Sequence, residues 1–190
     1  SYYVMDMVVT KLPAVMTASA HLRDDAHDLV TKSDEAGRLD LIAGMGAFTS
    51  LSAGLQASFA SAASGNADGS VSDLLTKPVA AYAAASNNYA AALDAFEQQL
   101  RKGAATADDV VAQQRAVIAA ATDLNTASIA TLQHLLDMRI AALTSRLQLM
   151  LGLAAALVFV VIGTSVLAMR SILKIIASLK ADIIAVADET

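Results

Sequence analysis

Residues 147–169 read LQLMLGLAAALVFVVIGTSVLAM, a stretch without a charged side chain that is bounded by Arg146 and Arg170. As an α-helix this stretch extends about 35 Å, which exceeds the roughly 30 Å hydrocarbon core of a bilayer. Backbone groups in lipid must hydrogen-bond within their own segment, so a spanning segment here has to be helical. A buried core helix seldom runs so long without charge. The sequence therefore predicts a transmembrane helix, with Arg146 and Arg170 at the membrane boundaries.

The basic residues on either side of this stretch bear on its orientation. Arg170, Lys174 and Lys180 follow it, whereas Arg139 and Arg146 precede it. The positive-inside rule then favours a cytoplasmic C-terminus, with the long N-terminal region outside the inner (cytoplasmic) membrane. Within the stretch, Gly152, Ala156 and Gly163 have spacings at which two spans can approach closely, although an alanine-rich chain also produces such spacings by chance.

The composition of the whole chain indicates an all-α protein. The chain has 190 residues, of which 56% are hydrophobic and 4% aromatic, and its mean hydropathy is +0.53. Alanine, the best helix former, dominates. The net charge of −5 argues against a nucleic-acid-binding protein, and the absence of cysteine excludes disulfide scaffolds and covalently attached haem.

Three polar breaks divide residues 1–146 into segments with helical periodicity. The breaks are KSDEAG at 32–37, SGNADGS at 64–70 and KGAAT at 102–106. We expect helices at about 2–31, at about 38–63, from Lys77–Pro78 with Thr76 as the cap, and from Thr106. Pro13 should kink the first helix or mark its true start. Short connections between amphipathic helices predict an antiparallel bundle over 1–146.

Two heptad-like seams lie on either side of the apolar stretch. The first leads into it without Pro or Gly and consists of Val117, Ala121, Leu124, Ser128, Thr131, Leu135, Met138 and Ala142. The second falls in residues 170–190 and predicts a short coiled-coil helix, which needs a partner helix and so implies a homodimer and a further downstream domain. Its members, spaced by four and three, are Ile172, Ile176, Leu179, Ile183 and Val186.

The two ends of the chain resemble parts of bacterial signalling receptors. RSILKIIASLKADIIAVAD, residues 170–188, looks like the first helix of a HAMP domain, with Ile175 where Pro is usual and Ala187–Asp188 where Gly-Asp is usual. SYYVMDMVVTKLP, residues 1–13, resembles a motif in helical sensor regions similar to the nitrate- and nitrite-sensing family. The resemblance implies the C-terminal part of an extracytoplasmic sensor at 1–146, a span at 147–169 and the start of a HAMP-like relay domain at 170–190.

This resemblance implies transmembrane signal reception and relay. A methyl-accepting chemotaxis protein is the expected receptor, and a histidine kinase or a diguanylate cyclase is the alternative output. The motif is densest around Tyr2, Tyr3, Asp6 and Lys11. These side chains either bind an unknown small molecule or serve packing and helix-start chemistry. The other expected partners are membrane lipid and a second copy of the chain.

Catalytic and metal chemistry finds little support in the residues. A di-iron bundle needs inward glutamates and Glu-x-x-His pairs, and no Glu in this sequence has His three residues later. His21, Asp24, Asp25, His27 and Asp28 cluster on the first helix, where a solvated charged face competes with a metal site. We expect no enzyme activity, no cofactor and no metal. A membrane-inserting helical toxin or adhesion protein is the alternative from another functional class.

Overall fold

The structure of the chain is a computed structural model that describes the backbone of residues 2–32 and 34–188, and the side chains of residues 2–32 and 34–176. Every regular element in this part of the chain is helical, which confirms the predicted all-α class. The elements are α1 (Tyr2–Asp6), a π-helical segment (Met7–Lys11), α2 (Leu12–Thr31), α3 (Glu35–Ser64), α4 (Ser70–Arg101) and α5 (Asp108–Asp188).

The chain divides into two compact units, residues 1–137 and residues 138–190. The first unit has a hydrophobic core to which every element from α1 to α5 contributes. In the second unit, each side chain described, from Met138 to Ile176, is exposed. The sequence predicts that the sensor region ends at residue 146, where the membrane span begins. The division between residues 137 and 138 reflects packing alone, so the boundary at 146 stays a prediction.

The core of the first unit follows the helical periodicity of the sequence. The largest fully buried side chains include Phe48, Tyr82, Tyr89 and Phe96. In α5 the predicted seam is buried as far as Leu135, and Met138 and Ala142 are exposed. The buried members share spacings of three and four residues and are Val117, Ala121, Leu124, Ser128, Thr131 and Leu135.

Hydrogen bonds, an ion pair and a close helix approach join the helices of this unit at several points along their length. Lys11 Nζ donates to Gly54 O at 3.0 Å, and a Cβ placed on Gly44 would lie 2.9 Å from Leu22 Cδ2. Contacts between α3 and α4 are made by Ser52 Oγ with Tyr82 OH at 2.8 Å and by Arg38 Nη1 with Glu97 Oε1 at 2.8 Å.

Pro13 lies in the first turn of α2, as one of the two predicted outcomes requires. The helix before it is widened, because the Leu12 N–H bonds to Met7 O, five residues back, instead of to Val8 four residues back. Proline has no N–H to give to the carbonyl of Val9 and its ring crowds that carbonyl. A π-helical turn directly before the ring relieves this crowding while the chain stays helical.

The predicted start of the third helix was wrong. The helix α4 begins at Ser70 and not at Lys77, and Pro78 lies inside it. Thr76 does not cap the helix, because its hydroxyl donates to Ser72 O at 2.6 Å. The first turn is held by side chains of the preceding loop: Asp68 Oδ1 accepts from the Ser70 N–H, and Asn66 Oδ1 accepts from the Val71 N–H.

The other helix starts also differ slightly from the prediction. The helix α3 begins at Glu35, three residues before Arg38, because Asp34 Oδ1 accepts from the Gly37 N–H at 2.6 Å and caps it. The helix α5 begins at Asp108, two residues after Thr106, and places Asp108 and Asp109 in its first turn, where carboxylates favour the helix dipole.

Candidate functional site

One helix of the described chain is long and apolar enough to cross a membrane. Within Asp108–Ile176 an 18-residue window of α5 reaches a mean hydropathy of 2.5, and none of that window is buried in the fold. Phe159, for example, is 74% exposed. This length and composition meet the requirement of a span, and Arg146 and Arg170 lie exposed at its predicted ends.

The hydroxyl groups inside this apolar segment are already satisfied by their own helix. Thr164 Oγ1 donates to Val160 O at 3.0 Å, and Ser165 Oγ donates to Val161 O at 2.8 Å. Such back-bonding covers the hydroxyl donors without water. The exposed surface of this segment therefore carries hydroxyl donors that are internally paired.

The structure brings two of the four predicted ligand residues together. Lys11 Nζ lies 3.6 Å from Asp6 Oδ2, and Ser58 Oγ donates to the same carboxylate oxygen at 3.4 Å. The two residues are five positions apart, a spacing that a π-helical turn brings close to one face and an α-helix does not. This half-buried pair, with Gly54 O as a third partner, joins the π-helical segment to α3.

The two tyrosines of the predicted set lie apart from this pair. Tyr2 and Tyr3 are 69% and 46% exposed, and their rings contact each other edge to face with centroids 5.6 Å apart. Their hydroxyls have no hydrogen bond among the described contacts that would tie them to Asp6 or Lys11. Ligand binding by these four residues stays a prediction.

A chain of buried hydroxyls lies between α3 and α4 and was not foreseen from the sequence. Ser86 Oγ donates to Ser52 Oγ at 2.9 Å, and Ser52 Oγ shares a hydrogen bond with Tyr82 OH. Burial raises the pKa of the Tyr82 phenol. Thr49, Gln56 and Asn87 line a neighbouring groove of about 240 Å³. Each of the three hydroxyls therefore has a hydrogen-bond partner within this chain of contacts.

A charged cluster joins the start of α3 to the end of α4. Glu97 Oε1 accepts from Arg101 Nε at 2.6 Å and from Arg38 Nη1 at 2.8 Å, and Arg38 also binds Glu35. The hydrogen bond from Arg101, followed by that from Arg38, holds the pKa of Glu97 below its ordinary value. Because carboxylates engage both guanidinium groups, this cluster ties the start of α3 to the end of α4.

The polar cluster predicted on the first helix lies on its solvated side. Asp25 and Asp28 line a groove of about 230 Å³ together with Asp40 of α3. Partial burial, more than the neighbouring carboxylates, raises the pKa of Asp25. In the part of the chain that the structure describes, no three His, Asp or Glu residues are placed to hold a metal ion.

Two buried polar atoms of α5 lack a hydrogen-bond partner among the described residues. They are Ser128 Oγ, on the inward seam, and Asn125 Oδ1, on a half-buried position beside it. His134 is exposed and lines an apolar groove of about 470 Å³ with Asp73 and Leu74.

The second seam is described only in part. Ile172 and Ile176 are exposed, so they have no partner helix within the described chain. The side chains of Leu179, Ile183 and Val186 lie outside the described residues. The seam is helical along its backbone up to Asp188, and its role in a coiled coil stays a prediction.

Comparison with known proteins identifies no relative. No family model matches the chain. No curated protein and no solved structure matches it either.

Proposed function

We propose that this chain receives a signal outside the inner membrane and relays it inward, as the sensor and membrane-spanning part of a receptor. The observation that carries the proposal is the composition of α5. This helix contains both the buried seam of the first unit and the exposed, charge-free stretch between Arg146 and Arg170. Water-soluble folds rarely expose so long a contiguous apolar surface.

The first unit is proposed to be an antiparallel helical bundle that acts as the sensor. Contacts that α3 makes with the π-helical segment and with α2 pair rising with falling residue numbers, as in Lys11 with Gly54 and Leu22 with Gly44. Contacts between α3 and α4 follow the same rule, as in Arg38 with Glu97 and Ser52 with Tyr82. Bundles of this kind commonly hold ligands between helices.

The proposed signal input is a small molecule near the paired side chains of Asp6 and Lys11. Both are only partly buried, and π-helical turns occur frequently at functional sites. The proposed output is a homodimeric relay through the seam that begins at Ile172. A chemoreceptor is the preferred receptor class, with a histidine kinase or a diguanylate cyclase as the alternative output.

The sidedness of the chain tests this proposal, and the absence of native cysteine makes single-cysteine labelling clean. The full chain is expressed in a Gram-negative bacterium with Asn88→Cys, an exposed position on α4, or with Ser171→Cys, which follows Arg170. Intact cells are treated with a membrane-impermeant maleimide. We expect Asn88→Cys to react before lysis and Ser171→Cys to react only after it.

Each other outcome has a defined meaning. Labelling of Ser171→Cys alone in intact cells would reverse the orientation and overturn an external sensor. Recovery of the chain in the soluble fraction, with both variants reactive, would favour a membrane-inserting helical toxin or adhesion protein.

A further inference from the structure

The three buried hydroxyls between α3 and α4 carry one proton more than their hydrogen bonds use. Ser86 Oγ donates to Ser52 Oγ at 2.9 Å, and a second hydrogen bond of 2.8 Å joins Ser52 Oγ to Tyr82 OH. Each hydroxyl has one proton to donate, so three protons serve two hydrogen bonds. One hydroxyl proton therefore has no acceptor among the described residues.

The position of this proton follows from the surroundings of the two hydroxyls that could carry it. If Ser52 donates to Tyr82, the Tyr82 proton is left over, and Tyr82 is fully buried. If Tyr82 donates to Ser52, the Ser52 proton is left over, and Ser52 lines the groove of about 240 Å³ between α3 and α4. An unpaired buried donor costs free energy, whereas water or a ligand can accept from a donor beside a groove. The spare proton is therefore best placed on Ser52.

The other oxygens along this groove act mainly as acceptors. Thr49 Oγ1 donates to the backbone of its own helix at 2.9 Å, which leaves its lone pairs for a ligand. Ser86 Oγ spends its proton on Ser52 and accepts from no other group among the described contacts. Gln56 and Asn87 add carboxamides, each of which both donates and accepts. A complementary ligand has to accept from Ser52 and donate to Thr49 and Ser86, and hydroxyl groups do both.

Uncharged side chains make up the lining of the groove. No Asp, Glu, Lys, Arg or His among the described residues lines it, and Phe48, Ala53 and Ala90 supply its apolar part. An ion that leaves water needs a partner of opposite charge, so a charged ligand is disfavoured here. The volume of about 240 Å³ is also below the roughly 300–1,000 Å³ of sites for drug-sized ligands. The ligand that fits is small, uncharged and rich in hydroxyl groups.

We propose that this groove binds a small polyol or monosaccharide, with the Ser52 hydroxyl donating to one ligand oxygen and Ser86 accepting from a ligand hydroxyl. Asn87, at the exposed rim, holds a further ligand hydroxyl through its carboxamide. A ligand bound there contacts α3 and α4 together and stabilises their pairing. The site shares no residue with the pair of Asp6 and Lys11, and its occupancy does not depend on the orientation of the chain in a membrane.

Ligand-observed nuclear magnetic resonance on the full chain tests the site. The protein is solubilised in a detergent whose head group is not a sugar, and saturation-transfer spectra are recorded with glycerol, myo-inositol, D-glucose, D-galactose and D-mannose. We expect at least one of these probes to bind with a Kd in the millimolar range, because the groove offers few hydrogen bonds and little apolar area. Absence of binding by all of these probes would overturn the proposal.

Two adjacent asparagines provide a matched pair of variants. Asn87 and Asn88 are both exposed on α4, and of the two only Asn87 lines the groove. Asn87→Ala removes a hydrogen bond to the ligand, so we expect binding about five to ten times weaker, whereas Asn88→Ala should bind as the parent does. Equal affinities of the two variants would contradict the site.

The spare proton is tested by Ser52→Ala, which deletes it and should abolish detectable binding. This variant also leaves Tyr82 and Ser86 without their shared partner, so circular dichroism checks that the helices still form. Ala53→Leu keeps all three hydroxyls and fills the groove from an exposed position, and it should abolish binding as well. Undiminished binding by a folded Ser52→Ala or Ala53→Leu variant would overturn the proposal.

Discussion

The Tyr89 hydroxyl donates to the backbone carbonyl of Ser19 at 2.8 Å, across 70 positions of sequence. Tyr89 is fully buried, and its ring contacts Phe48 edge to face with centroids 5.2 Å apart. Burial raises the pKa of this phenol, so the hydroxyl remains a donor at any physiological pH. One side chain thus links α4 to both α2 and α3.

Removing this hydroxyl should weaken the first unit measurably. Tyr89→Phe keeps the ring packing and deletes one buried hydrogen bond, which should cost about 1 kcal/mol of unfolding free energy. Tyr89→Ala also removes the ring and should cost about 3–5 kcal/mol. Thermal unfolding followed by circular dichroism measures both. A Tyr89→Phe variant as stable as the parent would show that the hydrogen bond contributes nothing.

Acid should weaken the cluster around Glu97. Because Arg101 and Arg38 lower its pKa in the folded state, the unfolded state binds the proton more tightly, and stability is lost as the pH falls below the ordinary value of 4.5 through the folded value. Glu97→Gln should lower Tm at pH 7 and flatten its decline in acid. Asp94→Asn, on the exposed face of α4, is the control and should follow the parent. Parallel acid profiles for parent and Glu97→Gln would refute the tie.

Asp25 should behave in the opposite sense. Burial raises its pKa in the folded state, so its ionised form destabilises the fold at pH values above the folded pKa, and this penalty vanishes as acid protonates it. Asp25→Asn should raise Tm at pH 7 and lose its advantage in acid. The neighbouring Asp24 is exposed and pairs with Arg23, so Asp24→Asn should change Tm little. A lower Tm for Asp25→Asn at pH 7 would contradict the assignment.

The π-helical turn before Pro13 predicts an unusual tolerance of deletion. Removing the exposed Val9 converts the turn to α-helix and makes Asp6 and Lys11 neighbours at four residues. The Pro13 ring then crowds the carbonyl four residues back, so the deletion should cost about 3 kcal/mol while the helices remain folded. Deleting the exposed Thr17, inside α2, must instead rotate one part of that helix by about 100° against its core contacts. We expect that deletion to unfold α2. Equal damage from both deletions would count against a one-residue insertion at the turn.

The sequence predicts the elements better than their starts. The buried positions from Val117 to Leu135 follow from spacing alone, because the heptad pattern is a direct consequence of helix geometry. The start of α4 did not follow, since Thr76 could have been a cap and only the fold shows Asn66 and Asp68 in that role. Local hydrogen bonds of this kind compete closely, and sequence spacing does not decide between them.

The candidate sites were harder to predict, because they depend on a departure from α-helical geometry and on contacts between distant segments. Asp6 and Lys11 are five residues apart, a spacing that would place them on different faces of an α-helix. The π-helical turn brings the two side chains together. The buried hydroxyls of Ser52, Tyr82 and Ser86 belong to distant segments of the chain, and no local sequence pattern indicates that they meet. The apolar stretch between Arg146 and Arg170 could be recognised in the sequence from its length and composition alone.

The central claim is that this apolar stretch lies in lipid, and water accessibility along it is the most direct test. Single cysteines at Thr144, Ala155, Val160 and Ser171 of the membrane-bound full chain are treated with a water-soluble maleimide, with detergent-solubilised protein as the control. We expect reaction at Thr144 and Ser171, protection at Ala155 and Val160, and reaction at all four positions after solubilisation. Reaction at Ala155 and Val160 in intact membranes, at the rate of Thr144, would contradict it.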